Sequence, residues 1–396
     1  MDQRSGVMAA VLGASLVSVS ATAHSQSATC AAQTQGGTVV TENRGGFNAR
    51  LAASASGVVV AWVEQRAFAN RDFAPSGAAN FYYARVLDRA TLTARGAAQS
   101  LFAQEAPYEI GMGPALGTTS DGRIAAIVCT CVGGSANTLC SASTLAGTPA
   151  FGELRPRARQ SSVCPSGALS ATGVGAQLLV ASPFPDAAGI RMYGTSVGAL
   201  QDVEMDGAIE APAMAQVGAD QAVYARRVNN AIEARLFDVR GNARGRAVTL
   251  SSAGAQVGAP FLLSSGDSVI AAFSQRRGRG AWTVHLATWR PGTAPTHVDV
   301  NTGSAPAMAP SLAPSSNGCV VLSWTEGSGR NTVARAGRVC NGALDAASVA
   351  TLSRAGIEAG DSELASDGAS VFAVWQEIPP GRGARAELRV ARLGCR

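Results

Sequence analysis

A chain of 396 residues that is 46% hydrophobic and 15% charged, with 45 Gly and 17 Pro, is too apolar for disorder and too rich in turn formers for a helical protein. The formal net charge of +5 rests on arginine alone, because the sequence contains no lysine; Schiff-base chemistry and lysine nucleophiles are excluded. The arginines are scattered along the chain, which argues against a nucleic-acid stripe.

In chain order, residues 1–28 read as an export signal and its cleavage region. Arg4 gives the positive start, Val7 to Val19 an apolar stretch of h-region length, and Ala21-Thr22-Ala23 a small-residue cleavage site. That stretch is too short for a transmembrane anchor, and Ser27, three residues before Cys30, departs from the lipoprotein pattern. The expectation is a monomeric exported protein, periplasmic or extracellular, with residues 29–396 as a single domain.

Gly37 to Glu42 (GTVVTE) reads as a lone strand without an adjacent hairpin partner. Seven units then follow, starting near Phe47, Pro114, Cys164-Pro165, Pro212, Pro260, Met308 and Asp361. The sixth is the cleanest. It opens on what reads as a Pro/Ser turn, passes a turn at Asn317-Gly318, runs as an apolar strand from Cys319 to Trp324, turns again over Glu326 to Asn331, and returns. Each unit holds three or four short strands between Gly, Pro or Asn turns, which is the content of propeller blades. Alternating residues such as Trp282, Val284 and Leu286 suit half-buried strands. Continuous runs such as Gly57 to Val63 suit strands covered on both faces. The last unit lacks an outermost strand, which the GTVVTE segment is placed to supply. The predicted fold is therefore all-β: a seven-bladed propeller closed by an N-terminal strand, with six or eight blades as the alternatives.

Eight cysteines behind an export signal read as disulfides. Cys319 and Cys340 flank one hairpin, Cys131 and Cys140 another at Gly133-Gly134, and Cys30 and Cys395 lie at the two ends of the mature chain; Cys129 and Cys164 form the leftover pair. A disulfide joining the ends would be worth roughly 5 kcal/mol by loop entropy. The alternative for Cys129, Cys131 and Cys140 is a metal site, but they lack the usual CxxC spacing and a fourth ligand.

The segments PSLAPSSNGCVVLSW, GPALGTTSDGRIAAIV and ELASDGASVFAVW resemble blade-opening segments of secreted bacterial β-propellers, of the broad type that includes sialidase-like and TolB-like repeats. The resemblance covers six or seven units but rests on a generic motif. Ser366-Asp367-Gly368 comes nearest to the sialidase Asp-box, yet Trp375 stands too far along, so no family residue transfers to this chain.

The best functional constellation is positional. Three units carry Trp-x-Glu at the end of what reads as the inner strand: Trp62 with Glu64, Trp324 with Glu326, and Trp375 with Glu377. Residues two apart on a strand share a face, and a closed ring makes these units neighbours. The three carboxylates are then candidates for one rim, binding a sugar over the Trp rings or a calcium ion; no other cofactor is expected. The bland alternative packs each Trp between sheets and pairs each Glu with an arginine. Tyr82, Tyr83 and Arg85 are further candidates for sialidase-like chemistry, but no spacing singles them out. His285 alternates within a strand and reads as a strand residue, and His297 is the other histidine of the mature chain. The Arg276-Arg277-Gly278-Arg279 run reads as a solvated hairpin turn, and the loop from Arg66 to Ala79, with Phe68 and Phe73, as a surface for a partner or a cover for the channel. Two functions follow: a non-catalytic exported binding or scaffold protein, for a protein or carbohydrate ligand, using one face of the ring, and a carbohydrate-active hydrolase of sialidase-like or arabinanase-like type.

Overall fold

The computed structural model describes residues 29–41, 45–67, 78–101, 113–131, 137–147, 159–160, 169–182, 189–193, 210–315, 318–381 and 384–395. The export segment, Phe68, Phe73, Gly133-Gly134 and Cys164 lie outside them. No helix among the described residues is long and apolar enough to cross a membrane.

The described strands form seven antiparallel sheets. The first holds β2 (Phe47–Ser54), β3 (Gly57–Ala67), β4 (Ala78–Leu87) and β5 (Gln99–Ser100). The second holds β6 (Ala115–Thr118), β7 (Ile124–Cys131), β8 (Asn137–Ala146) and β9 (Arg159–Gln160), and the third β10 (Ser170–Val174), β11 (Gln177–Ser182) and β12 (Gly189–Tyr193). The fourth holds β13 (Glu210–Val217), β14 (Gln221–Val228), β15 (Ala231–Asp238) and β16 (Ala243–Thr249). In the fifth, β17 (Gln256–Val257) and β18 (Phe261–Ser265) both pair with β19 (Ser268–Arg276), followed by β20 (Thr283–Trp289) and β21 (Thr296–Val300). The sixth holds β22 (Ala307–Pro314), β23 (Val320–Glu326), β24 (Val333–Cys340) and β25 (Ala343–Thr351). The seventh orders β26 (Glu358–Ser366), β27 (Val371–Ile378) and β28 (Glu387–Arg392), with β1 (Thr38–Val39) outermost.

The first strands touch one another in the order β2, β6, β10, β13, β18, β22, β26 and back to β2, so the molecule is a β-propeller around a central channel. The core lies between adjacent sheets. Ala313, Val321 and Ala336 of the sixth sheet pack with Leu364, Ala373 and Trp375 of the seventh, and Phe372, Val374 and Leu388 of the seventh with Val58, Val60 and Trp62 of the first. This sandwiching explains why the second strands are apolar without alternation: β23 is buried from Val320 to Thr325.

Two features of the repeat differ from the sequence reading. The Pro/Ser segment of the sixth unit is itself the innermost strand, β22, rather than a turn. An innermost strand is an edge strand with a free side toward the channel, where proline can sit without removing a ladder bond. The register of β22 also shifts between Met308 and Ser311, and Ala309 takes φ of 49°, a bulge that bends the strand at the channel mouth. As a consequence the Trp-x-Glu strand is the second of its sheet, one layer further from the axis than expected.

The amino-terminal segment pairs with the last sheet, Thr38 opposite Val390 and Val39 opposite Arg389. The Cys30–Cys395 disulfide lies beside it and Cys319–Cys340 staples β23 to β24, each with Cα atoms 4.4 Å apart. In the second sheet the backbone register sets Cys129 opposite Cys140 and Cys131 opposite Thr138, two residues off the expected Cys131–Cys140 alignment. The side chains of these three cysteines lie outside the described residues.

Candidate functional site

The channel opens into a cavity of about 400 Å³ walled by the inner strands of all seven sheets. Its wall is built by a repeated local device. Asn48, Ala211, Ala309 and Asp361 each adopt a left-handed conformation, with φ of 49–50°, and the inner strand bulges just after. The residue two positions on faces this cavity in each case: Arg50, Ala213, Ser311 and Glu363. Ala115 and Phe261 stand at the matching positions of the second and fifth sheets, each just before the Leu that ends the motif.

Three of these wall residues are charged, Arg50, Asp361 and Glu363, and two of them meet. Arg50 Nη1 lies 3.1 Å from Glu363 Oε2, and the Leu51 N–H donates to Glu363 Oε1 at 2.9 Å. The pair bridges the first and seventh sheets. Burial pushes the Glu363 carboxyl above its ordinary range, and the Arg50 charge and the Leu51 N–H only partly offset this. Beside it, the Ser311 hydroxyl accepts the Leu364 N–H at 2.9 Å, and Ser362 Oγ is buried without a hydrogen-bond partner. The remaining wall is mostly small and apolar, including Pro212, Pro260, Pro310, Ala259 and Leu262. Sequence inspection passed over Arg50 and Glu363. The available signal was that, of the seven corresponding tripeptides ARL, PAL, GAL, PAM, PFL, PSL and SEL, only ARL and SEL carry a charge at the middle position.

The Trp-x-Glu residues occupy a different place. Each belongs to a cell inside its own sheet, in which an aromatic on the second strand faces a residue of the third and the acid sits two residues further along. In the seventh sheet Trp375 faces Arg389. Its indole N–H donates to Glu377 at 3.0 Å, Arg389 lies 2.9 Å from the same carboxylate, and Arg354 approaches at 2.7 Å. In the first sheet the Trp62 indole donates to Glu64 at 3.1 Å, and Arg66 closes the pair at 2.6 Å while stacking over the Phe81 and Tyr83 rings. In the sixth, Glu326 is bound by Arg335 at 2.8 Å, and the Trp324 N–H has no partner. Glu64 and Glu377 are buried. Among the described residues no three His, Cys, Asp or Glu side chains converge on a common point, so the three acids are not gathered together. Tyr82 is likewise buried, and Arg85 donates to the Val40 carbonyl at 2.8 Å.

The same cell varies in the fourth and fifth sheets. Arg226 replaces the acid beside Tyr224 and lies 3.5 Å from Glu233. In the fifth, Phe273 faces His285, Gln275 replaces the acid, and Asp299 and His297 on β21 complete a polar group.

No family model matches the chain, and no curated protein matches it in sequence. Among solved structures it is similar to an endosialidase of phage phi92, with a TM-score of 0.52 at 9% identity over 91% of this chain and 70% of that one. It is also similar to virginiamycin B lyase of Staphylococcus aureus, with a TM-score of 0.49 at 12% identity over 90% of this chain and 98% of that one. A third match is a GH93 α-L-arabinofuranosidase of Fusarium graminearum, with a TM-score of 0.47 at 12% identity over 71% and 93% of the two chains. At such identities the likeness is one of fold.

Proposed function

We propose that this protein is an exported, non-catalytic binding or scaffold protein whose ligand, protein or carbohydrate, is received at the channel mouth of a seven-bladed propeller closed by its amino-terminal strand. The observation that carries the reading is the channel wall. Hydrolysis of a glycosidic bond needs two carboxylates flanking it, whereas the wall is largely Ala, Pro, Leu and Ser, with Glu363 engaged by Arg50, and with Asp361, two residues along the same strand, as the one further carboxylate among the described lining residues. The Trp-x-Glu acids are held by arginines of their own sheets, which favours a structural role for them. Seven sheets, the pairing of β1 with β28, and the Arg389 Nη1 bond to the Gly36 carbonyl at 2.7 Å support the closed ring. Export is supported by the two described disulfides, which persist in oxidising compartments.

The second reading, a sialidase-like or arabinanase-like hydrolase, is favoured by one observation: Glu363 has a raised carboxyl pKa and shares the mouth with Asp361. A glycan array probed with the purified protein, with and without calcium, tests both. The binding reading expects retention of intact glycan or protein ligand, lost in Arg50→Ala and Glu363→Ala. Turnover of a sialoside or arabinan, lost in Glu363→Gln, would replace it with the second. Loss of binding in folded Glu326→Ala and Glu377→Ala instead would return the site to the Trp-x-Glu rim.

A further inference from the structure

The fifth sheet carries the described histidines side by side. His285 is buried on β20, and β21 places Asp299 directly opposite it and His297 diagonally, opposite Ala287. The His285 ring therefore lies across the sheet between two residues of the same face of β21. Its Nδ1 is 2.6 Å from Asp299 Oδ1, and its Nε2 is 3.3 Å from His297 Nδ1. Asp299 is itself held by the Gln275 amide, which donates to the same oxygen at 3.0 Å.

We propose that His285 Nε2 and His297 Nδ1 form a two-imidazole site for a divalent transition metal such as zinc, nickel or copper, separate from the channel. Two metal–nitrogen bonds of about 2.0–2.1 Å at the tetrahedral angle place their nitrogens about 3.3 Å apart, which is the separation found here. The site needs the His285 tautomer in which Nδ1–H donates to Asp299 and Nε2 keeps a lone pair, the carboxylate–histidine arrangement that orients metal-binding imidazoles; the Gln275 amide nitrogen also lies 2.8 Å from Nδ1. His297 and Asp299 are exposed, which gives an ion a path in. With two protein ligands, the remaining coordination positions belong to water or to groups brought by a partner.

Titration of the purified chain with zinc or nickel by calorimetry, and with copper by paramagnetic resonance, tests the site. One ion per chain is expected, with two imidazole nitrogens resolved around copper. His297→Ala, on the exposed strand, is expected to weaken binding at least tenfold without unfolding the protein. Asp299→Asn is expected to weaken it about 10- to 100-fold, as loss of an orienting partner does. No saturable binding at millimolar metal, or binding that survives His297→Ala, would overturn the proposal and leave the ring contact a plain hydrogen bond.

Discussion

Removing the Glu377 carboxylate is the sharpest test of how the sheets are held. Its side chain is 0% exposed and accepts three hydrogen bonds, from the Trp375 indole N–H at 3.0 Å, the Arg354 backbone N–H at 3.0 Å and Arg354 Nε at 2.7 Å, and it pairs with Arg389, whose Nε lies 2.9 Å away. Glu377→Ala strands the buried indole N–H and leaves Arg389, whose side chain is 10% exposed, with Glu387 at 2.8 Å as its one remaining carboxylate among the described residues, beside the Gly36 and Gly37 carbonyls. Breaking a buried pair from one side costs about 3–5 kcal/mol, because the surviving charge stays desolvated. Glu326 is the internal control. Its side chain is 19% exposed, it binds a single arginine that is 30% exposed, and it holds no indole, so Glu326→Ala should cost about 1 kcal/mol after solvent screening. Denaturant unfolding of the wild type and both variants, compared by midpoint at constant slope, reads the difference. If Glu377→Ala falls within about 1 kcal/mol of the wild type, or costs no more than Glu326→Ala, the desolvation argument fails.

Three further outcomes follow from the same physics. Gly173→Ala should be strongly destabilising, because the added Cβ would sit 2.0 Å from the Thr118 carbonyl oxygen of the neighbouring sheet; a thermal melt close to that of the wild type would show that the two inner strands can separate freely. Glu363 titrates higher in the folded than in the unfolded chain, so its contribution is present below the ordinary Glu pKa of about 4.3 and is lost as pH rises through the raised value. Wild type and Glu363→Gln should therefore match in stability under acid conditions, and the wild type should fall behind towards neutrality; denaturant midpoints that move in parallel would contradict this. The disulfides should differ in weight, since loop entropy assigns about 5–6 kcal/mol to a separation of 365 residues and about 3 kcal/mol to one of 21. Cys30→Ser should accordingly lower the unfolding midpoint more than Cys319→Ser.

What the sequence by itself determined is local or periodic. Strand content, the repeat, and the continuous apolar runs such as Gly57 to Val63 follow from residue type and spacing, because sandwiched strands demand them whatever the ring looks like. The cysteines at 319 and 340 were legible for the same reason, since a hairpin brings its own flanks together. The proline segments misled because proline marks turns and free strand edges alike, and only the sheet order distinguishes β22 from a loop. The Trp-x-Glu strands were seen, but not their layer or their arginine partners: Arg354 reaches Glu377 from the connection before β26. Ring closure alone decided that Arg50 meets Glu363 across 313 residues of chain, and burial at that seam alone raises the carboxyl pKa. A pattern read along a strand carries no information about desolvation, which depends on what the neighbouring sheet presents.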